Sequence, residues 1–148
     1  STFTLNRGSN SNIAVNDCVI TSSGYLVGVV TSTTPYSSTV RSIIDPKTSI
    51  GAYVESSGAS TIACGDFTLM TDKKLKLTYI PDGTELSGGD YVITSGSGSI
   101  YPRGLVIGRI SGVGFNDTGY SNYAVIEPCA ELSELSQLFI ITDFEIAG

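Results

Sequence analysis

The chain carries an internal repeat, and this feature limits the folds available to it more than any other. The segment Asn16–Gly24 (NDCVITSSG) resembles Gly89–Ser97 (GDYVITSGS). Two further pairs of segments, GVVT with GRIS and IIDP with VIEP, follow in the same order along the chain. Two copies of one supersecondary pattern predict two related structural units. We place these units at residues 1–70 and 71–148.

Both units have the pattern of short β-strands separated by turns. Leu75–Ile80 (LKLTYI) alternates between apolar and polar residues and stops at the turn former Pro81-Asp82-Gly83. Charged residues make up only 15% of the chain, and Gly, Ser and Thr take their place, which suits strands and turns better than long helices. Helical spacing occurs at Ala130–Leu138, over about two turns. We therefore predict an all-β fold with at most one short helical segment.

A sheet of about five or six short strands leaves unpaired edges unless it closes on itself. Closure into a barrel pairs these edges and gives the inward-facing Val, Ile and Leu side chains a common interior. We therefore predict two small β-barrels side by side, joined through Met70–Lys74, with a final strand that can pack back on the first barrel. The residues expected in the interiors are Val19, Val27, Val29, Ile43, Val92, Val106, Ile110 and Val125.

The composition excludes several classes of function. The chain contains no His, so Ser-His-Asp and Cys-His catalysis and His-containing metal sites are impossible. Ser95 in the TSGSG segment has no activating base in a known motif, and the acidic turn residues lack the spacing of a Ca²⁺-binding loop. We therefore predict no enzyme activity, no metal site and no cofactor. The net charge of −6 argues against binding to nucleic acid or to an anionic membrane surface.

The three cysteines, Cys18, Cys64 and Cys129, match no metal-binding or redox spacing. Small buried side chains are their simplest role, because free Cys packs as a small apolar residue. We predict three free thiols, and one structural disulfide is the alternative.

One loop breaks the repeat. Ser99–Gly104 is an insertion that the first unit lacks, and loops of this kind carry binding residues more often than the strands that they join. Tyr and Arg are frequent anchors at protein interfaces. We therefore predict a partner-binding site here, and the alternative is a loop that folds back to cap its own barrel. The candidate residues are Ile100, Tyr101, Pro102, Arg103 and Leu105.

The second unit resembles a known family. Gly89–Gly96 (GDYVITSG) followed by Tyr101–Ile110 (YPRGLVIGRI) is similar to the G-D-x-V-x-T-S-G … [FY]-P-x-G-[LI]-x-[IV]-G-x-[VI] signature of the rod-shape-determining MreC family. The similarity continues through Val125–Pro128 and, in weaker form, through Gly24–Val30 and Asp45-Pro46 of the first unit. It covers nearly the whole chain and implies a fold of two small β-barrels.

The resemblance also implies a function, which is a non-enzymatic extracytoplasmic scaffold of the bacterial cell-elongation machinery. Such a scaffold controls cell shape by organising and activating peptidoglycan synthases. The implied partners are a class B penicillin-binding protein, MreD and other elongation-complex proteins, and a second copy of the chain in a dimer or filament. The implied location is the cell membrane, through one N-terminal helix outside the present sequence, with this region on the extracytoplasmic side.

Two other functions stay open from the sequence. A cell-wall carbohydrate-binding β module is compatible with the eight Tyr residues, although the chain has no Trp on which a sugar could stack. An inactivated protease-like fold would share the two barrels but would bind no partner.

Overall fold

The computed structural model describes residues 1–98, 100–115, 121–132 and 137–142 of the chain. Within these ranges the chain forms eleven strands, a short 3-10 turn at Ser9–Ser11 and a single α-helical turn, α1 (Phe67–Met70). The strands are β1 (Thr2–Leu5), β2 (Cys18–Thr21), β3 (Leu26–Thr33), β4 (Ser38–Ser42), β5 (Ser49–Val54), β6 (Ser60–Cys64), β7 (Leu75–Thr78), β8 (Tyr91–Thr94), β9 (Val106–Phe115), β10 (Ser121–Pro128) and β11 (Leu138–Ile141). The predicted all-β class is confirmed.

The described residues contain one helical turn that the sequence did not predict. α1 begins after Asp66, whose carboxylate accepts a hydrogen bond from the amide of Thr68 at 2.8 Å and so caps the turn. The expected helix at Ala130–Leu138 includes residues 133–136, which lie outside the described residues, and its last residue begins β11. None of the described residues belongs to a helix that could cross a membrane.

The strands form two sheets. The first has five strands in the order β1-β4-β3-β2-β11, and the second is a closed barrel of six strands in the order β10-β7-β6-β5-β8-β9. The neighbouring strands of both sheets pair in antiparallel fashion. The fold therefore has two β units, as predicted. The second is a closed barrel, whereas the described strands of the first form a five-stranded sheet in place of the predicted second barrel.

Strand pairing does not follow the two halves of the sequence. β5 and β6 precede residue 70, yet β5 pairs with β8 and β6 pairs with β7, so both belong to the barrel. In the other direction, β11 pairs with β2 in the first sheet, the position that the sequence analysis allowed for the final strand. The correction concerns β5 and β6, which were assigned to the unit at 1–70 but belong to the barrel, because β7 and β8 would each be a sheet edge without the β5–β6 hairpin. Whether either half folds alone stays a prediction.

The internal repeat is visible in the strand pairing. Val19 lies opposite Gly28 in the β2–β3 pair, Val92 lies opposite Gly108 in the β8–β9 pair, and a register shift follows directly in both. A Cβ atom added at either glycine would lie 2.3 Å from a backbone carbonyl oxygen of the next strand. The same close approach thus occurs once in each unit, among β2, β3 and β4 in the first and among β8, β9 and β10 in the second.

Most of the expected interior residues are buried. Six of the eight are at most 2% exposed, and these are Val19, Val27, Val29, Ile43, Val92 and Ile110. Val106 and Val125 are only half-buried, and the adjacent Ile107 and Ile126 fill the barrel instead. A register shift lies beside each of the two valines, and such a bulge reverses which residue faces inward. Simple alternation along the sequence cannot reveal it.

Candidate functional site

The loop that breaks the repeat is held in place by one buried hydroxyl. Thr94, at the end of β8, is fully buried; its Oγ1 donates a hydrogen bond to the carbonyl of Pro102 at 2.6 Å and accepts one from the amide of Leu105 at 2.8 Å. The amide of Gly104 donates to the Thr94 carbonyl at 3.0 Å. These bonds fix the backbone of the loop against the barrel. Ser99 lies outside the described residues.

Tyr101 is buried, so its side chain is not available at the surface as the predicted site requires. Its exposed fraction is 5%, and it belongs to the hydrophobic cluster that contains Cys18 and much of the barrel interior. The Cys18 thiol, on β2 of the first sheet, donates a hydrogen bond to the carbonyl of Ile100 at 3.4 Å. The loop therefore joins the two sheets.

Burial also keeps the groups at this junction uncharged. It raises the pKa of the Tyr101 hydroxyl to about 12, with Cys18 adding to the increase and Arg41 opposing it. Burial, with the nearby Asp17 charge, raises the pKa of the Cys18 thiol to about 12 as well. A thiol that stays protonated at neutral pH is a poor nucleophile.

The other loop residues differ in exposure. Ile100 is 39% exposed and Arg103 is exposed, whereas Pro102 and Leu105 are half-buried. The Arg103 guanidinium lies over the ring of Tyr53 on β5, with its central carbon 4.8 Å from the ring centroid, and its Nη1 donates to the Ser95 carbonyl at 3.2 Å. The structure thus leaves Ile100 and Arg103 as the accessible members of the predicted partner-binding set.

Three side chains with no signal in the sequence lie on the barrel strands, and one of them, Tyr53, contacts the loop. Tyr53 lies beneath Arg103, and Tyr91 on β8 lies opposite Arg109 on β9. The Arg109 guanidinium covers the Tyr91 ring at 4.5 Å from its centroid and hydrogen-bonds the phenol oxygen, which raises the pKa of Arg109 further. These residues are far apart in the sequence, and only the strand pairing could have revealed that they meet.

The remaining chemistry of the described residues is sparse. All three cysteines are free, as predicted, with Cys18 buried and Cys64 and Cys129 half-buried. In the ranges that the structure describes, no three His, Cys, Asp or Glu side chains come together where they could hold a metal ion.

Fold and site together define a class of protein: an all-β domain in which a closed barrel and a second sheet are joined by a docked loop. A family model described as "Rod shape-determining protein MreC, barrel core" matches residues 1–142. The chain belongs to this MreC family of cell shape-determining proteins, as the sequence resemblance indicated.

Individual relatives agree with this assignment. The chain is 28% identical to the cell shape-determining protein MreC of Geobacillus stearothermophilus and to that of Bacillus subtilis (strain 168), over 93% of its own length and 50% of theirs. It therefore spans about half the length of these curated relatives. A solved MreC structure from Listeria is 29% identical, with a TM-score of 0.83 over 99% of this chain and 70% of that one.

A solved complex between penicillin-binding protein PBP2 and MreC from Helicobacter pylori has a related fold. Its TM-score is 0.65 at 17% identity, over 83% of this chain and 74% of that one.

Proposed function

We propose that this chain is the extracytoplasmic region of a non-enzymatic scaffold in the bacterial cell-elongation machinery. In this role it controls cell shape by organising and activating peptidoglycan synthases. The observation that carries the proposal is the match of the MreC barrel core to residues 1–142, almost the whole chain. Its two β units, joined by a docked loop, suit a protein that acts by contact.

The proposed partner is a class B penicillin-binding protein. The Helicobacter pylori complex supports this choice, because a family member of related fold binds PBP2 there. Ile100 and Arg103 are the proposed contacts, since both side chains are exposed on a loop that hydrogen bonds hold in place. In this proposal Tyr101, Pro102 and Leu105 act indirectly, by holding the loop.

Further contacts belong to the same proposal. They are with MreD and other elongation-complex proteins, and with a second copy of the chain in a dimer or filament. A single-pass anchor in the cell membrane would lie in the part of the full-length relatives that this chain does not span. The region described here would then face the extracytoplasmic side.

Fewer tyrosines are open to a sugar than the sequence suggests, which weakens the alternative of a carbohydrate-binding module. Sugars bind proteins by stacking on open aromatic faces, but the rings of Tyr53, Tyr91 and Tyr123 each carry a cation and Tyr101 is buried. Among the described tyrosines, those that are mainly exposed are Tyr36 at 77% and Tyr79 at 81%.

Two titrations test the proposed function. The purified chain is titrated with the extracytoplasmic region of the cognate class B penicillin-binding protein and, separately, with muropeptides. We expect saturable binding of the protein, at roughly micromolar levels typical of transient complexes, and none of the muropeptides. Saturable muropeptide binding without protein binding would contradict the proposal and favour the carbohydrate module.

A further inference from the structure

The outer surface of the barrel carries two tyrosines that the fold places side by side. Ala52 and Val54 on β5 and Val92 on β8 are buried in the interior, so the alternating residues Tyr53 and Tyr91 face outward. β5 and β8 are paired with Val54 opposite Val92. The two tyrosines are therefore diagonal neighbours on one face, with Cα atoms roughly 7–8 Å apart.

Each of these rings supports a guanidinium. Arg103 reaches Tyr53 from the loop, and Arg109 reaches Tyr91 from the neighbouring strand β9, with ring centroids 4.8 and 4.5 Å from the guanidinium carbons. A second contact fixes each group, to the Ser95 carbonyl for Arg103 and to the Tyr91 hydroxyl for Arg109. Stacked and hydrogen-bonded arginines lose little side-chain entropy when they bind a further group.

Both guanidiniums still have N–H donors to offer. Neither forms an ion pair within 4.0 Å with a carboxylate of the described residues. Glu127 lies opposite Arg109 on β10, and Glu55, exposed, donates its amide to the Tyr91 carbonyl, so two acidic residues border the cations without pairing with them. The face thus presents two guanidiniums with free donors, beside two carboxylates that do not use those donors.

We propose that this arginine–tyrosine face (Tyr53, Tyr91, Arg103 and Arg109) binds an acidic segment of a partner protein. Each guanidinium donates two hydrogen bonds to one carboxylate, in the geometry that Arg forms with Asp and Glu. The inference rests on the proposed function, because the partner is the penicillin-binding protein, and it adds the chemistry by which that partner is recognised.

A protein segment suits this face better than a lipid surface. An extended strand carries acidic residues at positions i and i+2 on one side, about 7 Å apart, so one segment can offer more than one carboxylate to the face. A lipid surface presents many negative charges at once, and the net charge of −6 of the whole chain repels such an array more strongly than it repels a few carboxylates.

Binding measurements with paired variants test this inference. The dissociation constant of the penicillin-binding protein's extracytoplasmic region is measured for the wild type, Arg103→Gln, Arg109→Gln and the double variant. Arg7→Gln is the matched control, because Arg7 is also exposed but precedes the 3-10 turn of the first unit. We expect each single variant to bind about tenfold more weakly or worse, and the control to bind like the wild type.

Two further measurements separate the contribution of the arginines' charge from that of their two-bond geometry: the salt dependence of binding and a conservative variant. Wild-type affinity should fall between about 50 and about 300 mM sodium chloride, and the double variant should lose most of that dependence. Arg103→Lys keeps the charge without the two-bond geometry and should restore only part of the affinity. Urea unfolding midpoints should shift only slightly in all variants, because both arginines are exposed and their stacking contacts lie at the surface.

The outcomes distinguish this inference from the function on which it rests. Wild-type binding that the double variant retains would overturn the arginine–tyrosine face alone. If the wild type does not bind the penicillin-binding protein at all, the proposed function and this inference both fail. Loss of binding to phosphatidylglycerol vesicles in the double variant, with protein binding intact, would overturn the inference in favour of a lipid ligand.

Discussion

Replacing Tyr101 with Ala should destabilise the protein strongly, because the ring fills the junction between the two sheets. Tyr101 is 5% exposed and packs in the same cluster as Cys18. Truncation of a buried aromatic side chain to Ala costs about 3–5 kcal/mol of unfolding free energy. For a domain of this size the midpoint of thermal unfolding should fall by roughly 6–20 °C. Urea unfolding followed by tyrosine fluorescence and circular dichroism gives the free energy directly.

Two neighbouring variants serve as controls for Tyr101→Ala. Tyr101→Phe keeps the ring and should cost only about 0.5–1.5 kcal/mol, the usual contribution of one hydroxyl. Ile100→Ala removes a side chain that is 39% exposed and should cost about 1 kcal/mol or less. An unfolding free energy for Tyr101→Ala within about 1 kcal/mol of the wild type would refute the packing argument. Loss of partner binding in that stable variant would instead make Tyr101 a direct contact.

Three other predictions concern titration, close packing and strand exchange. The pKa of Cys18 is about 12 in the folded protein and roughly 8.5 in an unfolded chain, so the free energy of unfolding should fall as pH rises from about 9 to 12. A pH series of urea unfolding curves measures this decrease, and Cys18→Ala should make it smaller. Gly108→Ala should lower the free energy of unfolding by about 1–3 kcal/mol in the same assay, because its Cβ would lie 2.3 Å from a backbone oxygen. The control Gly88→Ala has open space around the new Cβ and should leave that free energy nearly unchanged. A fragment of residues 71–148 should give no cooperative unfolding transition, because it lacks β5 and β6 of the barrel; a cooperative transition would show that the half folds alone.

The sequence predicts the fold class because strand periodicity and the repeat are local signals. The matched glycines at 28 and 108 indicated two copies of one strand arrangement, and both copies occur in the structure. The place of β5 and β6 in the barrel could not be predicted, because the Ile50–Val54 alternation suits either small barrel interior and does not say which one. Pairing over long sequence distances decides it, and residues on either side of residue 70 take part.

The partner-binding role of the loop stays a prediction, and the surroundings of the loop could be predicted only in part. The insertion Ser99–Gly104 marked the loop in the sequence, and its Arg103 side chain is exposed in the structure. Tyr101 has the residue type of an interface anchor, but the fold buries it between the sheets, and nothing local distinguishes the two environments. Tyr53 and Arg109 gave no signal at all, because each gains its role from a neighbouring strand or loop.

The central claim is that the protein determines cell shape, and cell width after its depletion tests that claim most directly. The full-length gene is placed under a repressible promoter in the bacterium that encodes it, and cell width is measured by microscopy as the protein disappears. Its membership of the MreC family predicts that rods widen and become round, and that a second copy of the full-length gene restores them. Cells that keep their width after depletion would contradict the account.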